Sequence, residues 1–209
     1  MTSQAGQIQA TKLLKNSNIT VVASGLSTAS LNGAFFADLG ETKSYVSLPQ
    51  FAILDFGKIN FFVQVSENRV VAADTSGDLS SKSQIAVMVK KFLSLPQSAN
   101  VSAIGVNFAF EIVLDGPLVD FLQVIFFKTD SLKRFGNTPT ALGFKIILPH
   151  EDSFLTLSVD PVWENSTAAM VTLNFHHANP SAQLIEGLVG LYGRYVAQVS
   201  GLVEKIFQS

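Results

Sequence analysis

Apolar and polar positions alternate with period two along residues 103–114. Ile104, Val106, Phe108, Phe110, Ile112 and Leu114 face one way, and Ala103, Gly105, Asn107, Ala109 and Glu111 the other. This spacing predicts a strand buried on one side. Shorter stretches of the same kind predict strands over 19–23, 59–65, 69–73, 142–148, 154–159 and 169–175, with a further apolar stretch over 45–56. Helical spacing instead joins Leu31, Ala34, Phe35 and Leu39, then Ile85, Met88, Val89, Phe92 and Leu93 within 81–94, and then Leu118, Phe121, Leu122, Ile125 and Phe126 after Pro117. A strand over 124–128 is the alternative for that last segment. Glu67-Asn68 predicts a hairpin turn, and Lys133 to Thr140 a surface loop.

The chain closes on its longest apolar stripe, formed by Leu184, Leu188, Leu191, Tyr195, Val199, Leu202 and Ile206. Asn179 is placed to cap this helix, with Pro180 at its first position. A continuous helix over 180–207 would reach about 42 Å at the helical rise, longer than an ordinary strand needs for cover.

In order, these elements read β-α-β-β-β-α twice, with a boundary near 96–100. The predicted fold class is therefore α+β, a curved antiparallel sheet packed by amphipathic helices. Its units would be 1–97 and 98–209, fused by duplication into one globular domain. In element order this resembles architectures of the TATA-binding-protein type. The resemblance implies two units joined edge to edge with the long helices on one face. The tripeptides Ile59-Asn60-Phe61, Val106-Asn107-Phe108 and Leu173-Asn174-Phe175 look like repeat markers but fall on strands that do not correspond. The rival is a single mixed domain whose bent sheet grips one long C-terminal helix.

Composition changes this picture in one respect. The 209 residues are 47% hydrophobic, with 17 Phe, and only 14% charged, against about 25% charged in an ordinary domain. Extra apolar surface is then expected to be covered by a large interior, with or without a cavity, or by subunit contacts. The net charge of -2 argues against nucleic acid, and the absence of cysteine excludes thiolate chemistry and sulfur-ligated zinc. With no apolar leader and no span-length apolar run, the expectation is a cytoplasmic protein with no membrane span.

The candidate chemistry is sparse. No phosphate-binding loop, dinucleotide fingerprint or nucleophile elbow is present, and neither a catalytic residue, a metal site nor a cofactor is expected. Asn107, Glu111, Asn174 and His176 fall by parity on polar strand faces and could line a ligand groove; a solvated sheet face accounts for them as well. His177 falls on the opposite face from His176, so the pair cannot chelate one ion from a regular strand. Gly193, Ala197 and Gly201 form a small-residue strip on the last helix, suited to close approach by a neighbour or by the chain's own core.

From these features the expected function is a non-enzymatic binding or assembly protein acting as a homo-oligomer. The first alternative is a carrier holding a small apolar or aromatic ligand between sheet and helix, walled by Phe61, Phe108, Phe110 and Phe175. The second is an enzyme using His176, oriented by Glu111 or Asn107.

Overall fold

A computed structural model describes residues 10–79, 83–95, 99–126 and 141–207, with backbone alone at 124–126. The expected loop from Lys133 to Thr140 and the boundary residues 96–98 lie outside the described residues. The elements are β1 (Ala10–Ser24), β2 (Ser44–Leu48), β3 (Phe51–Asp55), β4 (Ile59–Gln64), β5 (Arg69–Asp74), α1 (Ile85–Leu93), β6 (Asn100–Leu114), α2 (Leu118–Phe126), β7 (Phe144–His150), β8 (Ser153–Val162), β9 (Asn165–Ala178), α3 (Ala182–Glu186) and α4 (Leu188–Phe207). The strands make one nine-stranded antiparallel sheet in the order β2-β3-β4-β5-β1-β6-β9-β8-β7. The two longest strands, β1 and β6, pair at its centre, across the expected unit boundary.

Several local expectations need correction. The first strand is not confined to 19–23 but begins at Ala10, because pairing with β6 extends it past a bulge at Lys15 into a polar stretch. The apolar stretch over 45–56 is two strands, since Pro49-Gln50 turns the chain and lets β2 pair back onto β3. Residues 31–39 form successive turns rather than an α-helix. Asn32 and Gly33 favour turn geometry, and the Asn32 side chain accepts from the Ala34 amide. The cap of the last helix is Ser181, whose hydroxyl accepts from the Leu184 amide, while Asn179 adopts φ 48° and donates its amide to the Ser102 carbonyl. The helix also breaks at Gly187, leaving five residues in α3 and twenty in α4.

The described helices lie on one face. There Ile19 and Val21, Phe61 and Val63, Ile104 to Leu114 at period two, and Val171, Leu173 and Phe175 are buried under Met88 and Phe92 of α1, Leu122 of α2, and Leu188, Tyr192, Tyr195 and Val199 of α4. Each such large side chain contributes about 1.5–3 kcal/mol by leaving water. Edge-to-face rings tie the layers together, with Phe36 4.8 Å from Phe61 and Phe61 5.5 Å from Phe92. Lys12 on β1 reaches α4, 2.7 Å from Glu204, and Ser17 meets the Tyr192 hydroxyl at 2.9 Å.

Close approach decides the identity of Gly143, just before β7. A Cβ there would sit 2.7 Å from the Val159 carbonyl oxygen and 3.3 Å from Pro161. Gly143→Ala is expected to lower stability by about 1–3 kcal/mol, read from urea unfolding. An unchanged midpoint would mean that the edge strand yields freely at this point.

Candidate functional site

The face of the sheet opposite the helices is where the candidate ligand residues lie. Register places Asn18, Asn107, Asn174 and Thr156 in one row across β1, β6, β9 and β8. The amides are joined head to tail: Asn174 Nδ2 donates to Asn107 Oδ1 at 2.5 Å, and Asn107 Nδ2 donates to Asn18 Oδ1 at 2.8 Å. Thr20 also donates to Asn18 Oδ1, at 3.3 Å. Asn is a poor strand former, and here the amides satisfy one another across strands.

On one side of this row lie Thr20, Gly105, His176 and Phe154, and on the other Asn16, Ala109, Thr172 and Ser158. Small side chains in the middle of the sheet leave a depression. A groove of about 690 Å³ has Asn107, Asn174, Thr156, Thr172 and Ser158 on its floor, with Phe144, Lys145, Asp160 and Pro161 around it.

The structure thus brings Asn107 and Asn174 together but keeps Glu111 and His176 apart. Glu111 is ion-paired with Lys15 and stands opposite Met170, six residues before His176 on β9. That separation is about 20 Å along the strand. His176 is exposed beside Phe154. Gly193 and Gly201 are half-buried on α4, and Ala197 is exposed; a Cβ on Gly201 would meet open space.

A second constellation sits at the rim, where β9 runs into α3. His177 is 3% exposed and faces the helices, as its strand parity requires, with Nε2 2.8 Å from the Tyr195 hydroxyl. Tyr195 also lies 3.5 Å from Ser153 Oγ, and its ring stacks on Phe175 at 3.9 Å. A cavity of about 480 Å³ opens here, lined by Glu151, Asp152, His177, Asn179, Arg194 and Tyr195, with Arg194 paired to Glu151 at 2.7 Å. Burial lowers the His177 pKa against the opposing pull of the Asp152 backbone and carboxylate, and burial raises that of Tyr195. Both groups are therefore held neutral near pH 7, as suits a hydrogen bond that fixes α4 on the sheet.

Two participants escape sequence reasoning. Asn18 lies just outside the strand expected over 19–23, although its alternation with Thr20 against Ile19 and Val21 is the available signal. Tyr195 as the partner of His177 has no local signal. Among the described residues no cluster of His, Asp and Glu could hold a metal ion, and no helix is long and apolar enough to cross a membrane. Comparison with protein-family models, with curated proteins and with solved structures finds no match to this chain.

Proposed function

We propose that this chain is a non-enzymatic assembly protein that acts as a homodimer through its outer strand β7. The observation that carries this is apolar exposure on both faces of that strand: Ile147 is 62% exposed and Leu148 44%, with Ile146 also exposed. An outer strand is a template for another strand, and between the Lys145 and Pro149 that blunt its two ends β7 presents the apolar run Ile146, Ile147 and Leu148. The opposite outer strand, β2, also exposes apolar side chains, with Val46 49% and Leu48 46% exposed, but its Leu48 carbonyl already accepts from the Thr28 hydroxyl at 2.7 Å. The partner is a second copy, since an antiparallel pairing of β7 about its own centre sets Ile147 against Ile147 and Ile146 against Leu148. Such a two-fold contact is closed and does not propagate.

Light scattering on the eluting protein at micromolar concentration is expected to show a dimer for the wild type and a folded monomer for Ile147→Lys. A wild-type monomer would remove the proposal. The small-residue strip supports a second surface, because Ala197 is exposed and the space beyond Gly201 is open. Dissociation by Ala197→Leu, with Ile147→Lys still dimeric, would move the interface to α4.

A duplicated origin is supported by the strand order. A two-fold between Asn18 and Asn107 would carry β1 onto β6, β5 onto β9, β4 onto β8 and β3 onto β7, leaving β2 unmatched. The carrier alternative draws less support, since Phe61, Phe108, Phe110 and Phe175 are buried core rings, with Phe108 in contact with both Phe175 and Tyr192. The enzyme alternative retains His176 without Glu111 as its partner.

A further inference from the structure

The groove on the open face has a polarity that selects a ligand. Its amide chain runs one way, from Asn174 to Asn107 to Asn18, and the Oδ1 of Asn174 is buried with no hydrogen-bond partner among the described residues. A buried acceptor left unpaired is costly, and an amide that donates its N–H becomes a stronger acceptor at its oxygen. Thr156, Thr172 and Ser158 add hydroxyls, each able to donate and to accept. The formal charges lining the groove are one Lys145 and one Asp160, which offset each other and leave little attraction for an anion. A polar floor of this kind also disfavours a wholly apolar ligand. In the adjoining row Phe154 is 54% exposed beside Thr156, a flat apolar surface next to the hydrogen-bonding floor.

We propose that this groove binds a short neutral saccharide. Its hydroxyls exchange hydrogen bonds with Thr156, Thr172 and Ser158 and with the accessible edge of the Asn174 amide, and an apolar ring face rests against Phe154. The combination of uncharged donors and acceptors with an exposed aromatic ring matches a molecule that has hydroxyls at its edge and C–H groups on its faces. The groove is formed within one chain, so binding does not require the edge pairing of β7.

Isothermal titration calorimetry of the full chain with maltotriose, cellotriose and chitotriose tests this, with inorganic phosphate and adenosine as comparison probes. At least one trisaccharide is expected to bind. Asn174→Ala is expected to weaken it by roughly tenfold or more, the loss of about one good hydrogen bond, with the circular dichroism spectrum unchanged. Ser158→Ala, on the opposite side of the floor, should weaken the same saccharide and serves if Asn174→Ala fails to fold. Leu148→Lys, on the opposite face of β7 from the groove, should bind as the wild type does, which separates this site from the assembly surface. No heat with any of the three saccharides overturns the proposal. So does equal affinity in the groove variants, or binding of phosphate or adenosine alone.

Discussion

Phe175→Ala is expected to lower the unfolding free energy by about 3–5 kcal/mol, the largest loss from any single truncation considered for this chain. The side chain is fully buried on β9, and three rings converge on it. Tyr195 stacks on it at 3.9 Å, His150 meets it edge-on at 5.1 Å, and Phe108 lies at 6.3 Å. Its removal takes away the transfer free energy of a phenyl group and leaves a cavity that β9, paired on both sides, cannot close by moving. Urea unfolding followed by tyrosine fluorescence and by circular dichroism should give coincident transitions shifted to lower urea. A loss below about 1 kcal/mol would mean that the surrounding rings collapse into the space, and that the centre of the sheet is looser than its packing indicates.

The second large effect concerns the buried pair at the rim. Tyr195→Phe keeps the stacked ring but deletes the hydroxyl 2.8 Å from His177 Nε2. An unpaired buried polar group costs about 1–3 kcal/mol, so a loss in that range is expected although the shape is conserved. The pair also makes stability depend on pH. The folded pKa of His177 lies below its ordinary value of 6.5, chiefly because burial opposes the charged ring. As pH falls, the unfolded chain takes up this proton first. The stabilisation is therefore present above the unfolded value and is lost progressively as pH falls from there toward the lower folded pKa. Melting temperatures measured between about pH 7.5 and 5 should decline more steeply for the wild type than for His177→Gln, which cannot protonate. Identical slopes would show that His177 is solvated in the folded protein.

Legibility in the sequence varied with the range of the interaction concerned. Period two along Ile104 to Leu114 identified both faces of β6 correctly, and the stripe Ile85, Met88, Val89 and Phe92 identified the buried side of α1. These patterns are local, so they survive without knowledge of the partner. The segment over 31–39 misled because helical spacing of apolar groups is shared by a run of turns, and Asn32 and Gly33 decided in favour of turns. Tertiary pairing likewise drew the polar residues from Ala10 to Asn18 into β1, against their weak strand propensity.

By itself the sequence determined the chemical inventory: no thiols, few charges, abundant phenylalanine, and strands with one apolar and one polar face. It also determined that His176 and His177 point apart, since adjacent residues on a strand must. Only the tertiary structure decided that Asn18, Asn107 and Asn174 form one hydrogen-bonded row, and that β2 and β7 are the two outer strands of the sheet. The links of that row join residues 89 and 67 positions apart. The physical reason is that cross-strand register is set by the pairing of distant segments, and a shift of one residue would turn every one of those amides to the other face.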